Sequence, residues 1–240
     1  MNDIWIYVIT FFSSLLTLVS GFGLGTILTP VFTLIYDVKL AILLVAIVHS
    51  LNNAFKFLLF RSHVDIAIIK RFGLLSIVGA FAGASLQNHL FSEALKVFLG
   101  IVLLLLGVKE ILPSKMEFSL PRRIDVLGGF LSGLLGGLVG NQGAIRSAYL
   151  LNYDVTKETF IATSTVIALT IDATRIPVYV VSQQGILSQV GWNIVPVIII
   201  AFAGTMIGKQ FLKSITSGIF KKIVASFVML MGALFTLRIL

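Results

Sequence analysis

The chain has no cysteine, which excludes disulfides, thiol chemistry and cysteine-ligated metals. Charge is scarce as well. Only 12% of the 240 residues are Asp, Glu, Lys or Arg, and the acidic ones number 10 against 18 basic. An average soluble domain carries about 25%. Catalytic signatures are missing too: there is no Gly-x-Ser-x-Gly, no His-Glu-x-x-His and no pair of aspartates deep in the apolar runs. Serines and one deep histidine, His49, are present, but without such a signature or a carboxylate dyad the chain reads as a non-enzyme with no cofactor. No ATP-binding motif, low-complexity tract or soluble domain occurs.

What is abundant is apolar. Hydrophobic residues make up 58% of the chain and the mean hydropathy is +1.05. Stretches near 38–60, 72–90, 94–108, 158–181, 190–211 and 219–240 approach or exceed the length needed to cross a ~30 Å hydrocarbon core as helices. The start, Met1-Asn2-Asp3-Ile4-Trp5, has no basic region and no cleavage pattern after it, so it does not read as a signal peptide. The net charge of +8 sits mainly in short loops, where Lys and Arg set topology, and is not a nucleic-acid footprint.

Two further apolar stretches are each interrupted by glycines. The first reads Ser20-Gly21-Phe22-Gly23-Leu24-Gly25-Thr26 and runs on through Pro30 to Tyr36-Asp37-Val38. The second reads Gly136-Gly137-Leu138-Val139-Gly140-Asn141-Gln142-Gly143, continues through Arg146, and leads to Tyr153-Asp154-Val155. Clustered glycines permit backbone angles that break a helix, and packing alone does not ask for them at such density. Other pairs occur in the same order: Asn53-Ala54-Phe55-Lys56 with Asp172-Ala173-Thr174-Arg175, and Ala80-Phe81-Ala82-Gly83 with Ala201-Phe202-Ala203-Gly204. The chain is an internal duplication. Its parts are an N-terminal repeat (1–112), a cytoplasmic linker (113–123) and a C-terminal repeat (124–240) within one membrane domain.

Loop charges orient the repeats. If each broken segment were an ordinary span, eight basic residues would face one side and seven the other. If each enters and returns, Arg61, Lys70, Arg71, Lys109, Lys115, Arg122, Arg123, Lys157, Lys209, Lys213, Lys221 and Lys222 share one face. Only Lys39, Lys96 and Arg238 then lie opposite. Twelve against three is the bias that the positive-inside rule asks for. The expected fold is therefore an all-α polytopic membrane protein of two inverted-topology repeats. Each repeat is a glycine-broken re-entrant helical hairpin plus three transmembrane helices, and both termini are extracytoplasmic. A paired interruption of this kind marks a transporter's midplane binding site.

The polar residues at membrane depth are few. His49, Asn53 and Lys56 share one helix face by their i, i+4, i+7 spacing, and Thr165, Asp172 and Arg175 share another, with Ser164 nearby. Such groups are costly in lipid and face a cavity or a partner. Gly23, Gly25, Thr26, Asn53, Asn141, Gln142, Arg146, Asp172 and Arg175 are the expected substrate-binding set, since cations and glycine-freed amides both favour an anion. His49 and Asp172 are the candidate coupling groups for a proton, with sodium as the other coupling ion. Each has a plainer reading: Lys56 snorkels to the interface near Arg61, Arg146 lies by Tyr153, His49 bonds a neighbouring helix, and Asp172 pairs with Arg175 at i, i+3. Gly79, Gly83, Gly100, Gly107, Gly204 and Gly208 read as close-packing positions.

Two repeats, each with a Gly-rich segment near its start and a polar-plus-cation helix after it, resemble the TauE/SafE sulfite exporter family. The resemblance covers nearly the whole chain. It implies a secondary transporter of sulfite, sulfonates or related organosulfur anions in the bacterial cytoplasmic (inner) membrane, working by alternating access. An anion channel, or a carrier of small carboxylates, is the alternative. The second break departs from the first: it has no proline at the position matching Pro30, and it carries Arg146. Membrane lipid and a small anion are the expected partners, with no nucleic acid; the sequence leaves oligomeric state open.

Overall fold

A computed structural model describes residues 4–20, 24–111, 124–150, 153–184, 194–211 and 218–240. Every regular element in it is helical: α1 Ile4–Ser20, α2 Leu24–Thr33, α3 Val38–Phe60, α4 Ile66–His89, α5 Ser92–Ile111, α6 Asp125–Val139, α7 Gly143–Leu150, α8 Lys157–Ser182, α9 Ile194–Phe211 and α10 Gly218–Thr236. Among the described residues, four helical stretches are long and apolar enough to cross a membrane: Val38–His63, Ile66–His89, Lys157–Ser182 and Ile194–Phe211. Gly23 and the 113–123 connection lie outside the described residues.

Local chemistry accounts for the helix starts. The Asp37 side chain accepts the Lys39 amide at 2.9 Å and caps α3. Thr156, not Asp154, caps α8 by accepting the Thr159 amide at 3.2 Å, so the matched Tyr-Asp-Val triplets do different work in the two halves. Asp65 caps α4 through Ala67 and Ile68, and α4 then widens into a π turn over Ile69–Gly73.

Helix pairing explains the glycines. α4 packs on α6, α1 on α9, α3 on α8, and α5 on α10. On the α4–α6 seam both helices contribute glycine. A Cβ added at Gly79 or Gly83 would strike the carbonyl oxygen of Phe130 or Leu134, and one at Gly129, Gly133 or Gly137 would strike that of Phe72, Ser76 or Ala80. Gly204 and Gly208 of α9 play the same part against Phe11 and Leu15 of α1, but α1 returns no glycine. Gly100 and Gly107 meet Gly232 and Met229 across the α5–α10 pair, so the close-packing expectation holds at all six positions.

Three apolar clusters pack along α3. The largest joins Val38, Ile42, Leu95, Leu99, Leu103, Tyr179 and Phe235, filling the end of the bundle where α3 begins. A second buries α2 through Leu24, Leu28 and Phe32 against α3 and α9. At the other end of α3 the seal is smaller, with Leu18, Phe60, Ile161 and Ala162 as its buried members.

Candidate functional site

The α3–α8 contact brings the two polar faces together at depth. His49 is the midpoint of the 23-residue α3 and is buried. Its Nδ1 lies 2.7 Å from Asp172 Oδ2, and because a carboxylate only accepts, Nδ1 carries the hydrogen. Asp172 Oδ1 accepts from Arg175 Nε at 2.9 Å and from Gln142 Nε2 at 3.1 Å. A buried carboxylate is tolerated when its lone pairs are met in this way. The Asn53 Nδ2 lies 3.1 and 3.2 Å from the two imidazole nitrogens.

The same side chains hold the second glycine break open. α6 ends at Gly140, whose φ of 81° is left-handed and suits only glycine without strain. The last carbonyls of that helix then need donors. Gly136 O receives Arg175 Nη1 at 2.5 Å and the Gly140 amide at 3.0 Å, Gly137 O receives the Tyr179 hydroxyl, and Leu138 O receives Gln87 Nε2 at 2.9 Å. Ser132 Oγ donates to Gln142 O at 2.9 Å. Irregular backbone at this depth survives because protein groups satisfy it. The two interrupted segments also touch, since a Cβ on Gly25 would lie 2.8 Å from Gly140 O.

A cavity of about 30 Å³, enough for a water or a small polar group, opens beside this network on the Lys56 side. Thr17, His49, Asn53, Lys56, Arg146, Ser147, Ser164 and Thr165 supply its polar lining, and Leu18, Phe160 and Ile161 its apolar wall. Lys56 is 2% exposed, so it does not snorkel to the interface; it faces the cavity that it shares with residues of α1, α7 and α8. Arg146 is 6% exposed and likewise turns inward, with Nη1 donating to Gln142 Oε1 at 3.3 Å. Neither cation has a carboxylate within ion-pair distance among the described residues. Arg146 Nε and Ser164 Oγ have no hydrogen-bond partner among them.

Of the expected binding set, Asn53 and Arg146 line this cavity, as does the coupling candidate His49. Asp172, Arg175 and Gln142 sit directly behind that lining, bonded to one another and to the break. Gly25 and Thr26 are buried at the start of α2, and Asn141 is buried beside the left-handed Gly140 with neither amide atom partnered among the described residues. The i, i+7 spacing puts Lys56 on the right face without deciding its destination. Thr17 and Ser147 carry no signal in the sequence: one is a polar residue in an apolar helix, the other follows an arginine in a loop-like stretch.

The chain matches the sequence model of a family described as Sulfite exporter TauE/SafE, over residues 6–235. No curated protein and no solved structure matches it.

Proposed function

Because the chain belongs to the TauE/SafE family, and so is a multi-pass inner-membrane transporter of small anions rather than an enzyme, we propose that it is a secondary carrier of sulfite, sulfonates or related organosulfur anions. The anion binds between Lys56 and Arg146. One observation carries this reading: two buried cations line one cavity without a carboxylate in ion-pair contact among the described residues, while Arg146 Nε and Ser164 Oγ lack partners. Asp172 and Arg175 neutralise each other, so the excess positive charge belongs to the cavity. Arginine offers a planar fork to sulfonate oxygens and lysine a point charge. Asn53, Ser147, Ser164 and Thr165 supply the remaining polar contacts.

The repeats are inverted in this reading, each with its glycine-broken hairpin returning to the side it entered. Pairing supports it. The first helix of each half, α1 or α6, packs on the fourth helix of the other half, α9 or α4, and the third and fifth helices pair with their own counterparts. Exchanging the halves leaves this scheme unchanged. With Arg61 cytoplasmic and both termini outside, the cavity lies cytoplasmic of the His49–Asp172 network. The larger apolar cluster then closes the outward path, as in an inward-leaning occluded state. Rocking of the halves about the network exposes the site to alternate sides. The driving force is an ion gradient or the membrane potential.

Counterflow of radiolabelled ethanesulfonate and sulfite in proteoliposomes tests the reading. Saturable exchange by the wild type, lost in Arg146→Gln and Lys56→Met while both variants insert, supports it. Non-saturating flux would indicate a channel. Exchange of acetate but of neither sulfur anion would move the substrate class to carboxylates.

A further inference from the structure

Resting on that reading of the cavity, we infer that His49 Nε2 is the site at which a proton boards together with the anion. Among the described cavity-lining groups His49 and Lys56 can each gain a proton, and of the two His49 is the one hydrogen-bonded to Asp172. Its Nδ1 is committed to Asp172 Oδ2 at 2.7 Å and donates in both forms. The second proton can therefore enter only at Nε2, which the Asn53 amide nitrogen approaches to 3.2 Å. In the neutral ring Nε2 accepts, and a lone pair there repels an anion's oxygen. In the protonated ring Nε2 donates, and the same oxygen becomes its partner in place of the Asn53 amide N–H. Proton and anion thus favour each other at adjacent positions.

The surrounding charges act in the same sense. Facing His49 are Lys56 on its own helix, Asp172 and Arg175 from α8, and Arg146 from α7; α1 contributes the uncharged Thr17 and α2 no titratable group. Asp172 and Arg175 sum to zero, which leaves Lys56 and Arg146 opposing a further positive charge in an empty cavity. An anion between them removes that opposition. By linkage, the factor by which the anion strengthens proton binding equals the factor by which the proton strengthens anion binding. Anion and proton then travel in the same direction, and a pH gradient drives anion flux.

Calorimetric titration of the purified full-length protein with ethanesulfonate, in buffers of differing ionisation heat from pH 5.5 to 8.5, reads the number of protons taken up per anion. Ethanesulfonate itself keeps one charge across that range. The wild type is expected to take up a proton with the anion, approaching one per anion at the optimum pH. His49→Gln, which keeps an N–H for Asp172, is expected to bind about tenfold more weakly with no uptake. Binding without proton uptake in the wild type overturns the inference, and so does undiminished uptake in His49→Gln, which would assign the proton to Lys56. Absence of any binding by the wild type contradicts the anion site itself, a separate failure. His49→Asn serves as the second variant should Gln impair folding, with the same outcomes.

Discussion

The two short helices after the glycine breaks stand at matching positions in the sequence, each before a Tyr-Asp-Val triplet, but have opposite character. α2, Leu24–Thr33, is buried along its whole length, carries no charge, and joins an apolar cluster through Leu24, Leu28 and Phe32. α7, Gly143–Leu150, has Arg146 in its first turn facing the cavity and is preceded by Gln142, which links that arginine to Asp172. Their seams differ in the same direction. α6, which leads into α7, is locked to α4 by glycines from both helices, whereas α1, which leads into α2, meets glycines from α9 alone. One break is built to hold a charged group still and the other to pack. In the proposed site the charged side chain must be held fixed, and the break that follows the doubly glycine-lined seam is the one that carries Arg146.

The contrast can be broken most severely at Asp172. Asp172→Asn leaves Arg175 as a buried cation without a counter-charge and loosens both Gln142 and the capped end of α6. Removing one partner of a buried pair costs about 3–5 kcal/mol, so thermal unfolding in detergent should drop by many degrees, with hydrogen exchange rising across α6 and α7 before α2. Arg146→Gln comes next. Losing a charge-assisted contact of about 1.5–3 kcal/mol predicts anion affinity weakened roughly 10- to 150-fold by titration, with the melting temperature in the absence of anion close to that of the wild type. Gly133→Ala drives a Cβ into Ser76 O on the doubly glycine-lined seam. Overpacking of this kind costs about 1–3 kcal/mol. Gly208→Ala, whose nearest neighbours are Leu15 O at 2.9 Å and a movable Leu18 methyl at 3.0 Å, should cost less in the same unfolding assay. The smallest effect on the site is expected at Thr26→Val on α2, a residue that does not line the cavity, with affinity altered less than about threefold. A large loss there would show that α2 shares the chemistry after all.

Helix faces are legible in the sequence. The spacing of His49, Asn53 and Lys56 places them on one face, and the i, i+3 pairing of Asp172 with Arg175 is present at 2.8 Å. Periodicity reads faces well because a helix repeats. It does not say where Lys56 goes, since a long side chain one turn from a helix end reaches either the interface or a cavity. Its burial in the cavity shared with α1, α7 and α8 decides. Gln142 and Asn141 come after a left-handed glycine, where no periodicity applies, and only the fold shows that Gln142 spends its amide on Asp172 and Arg146. The capping of Gly136, Gly137 and Leu138 by Arg175, Tyr179 and Gln87 joins residues 39 to 51 positions apart, beyond the reach of any local pattern.

Placement of the anion between Lys56 and Arg146 can be tested directly. Crystals grown with sodium selenite, a heavier analogue of sulfite, would locate it by the anomalous scattering of selenium. A peak is expected within hydrogen-bonding distance of the Arg146 guanidinium and the Lys56 amine, lost in Arg146→Gln. A peak instead beside Thr26 and Thr29 at the first break, with the Lys56–Arg146 cavity empty, would contradict that placement.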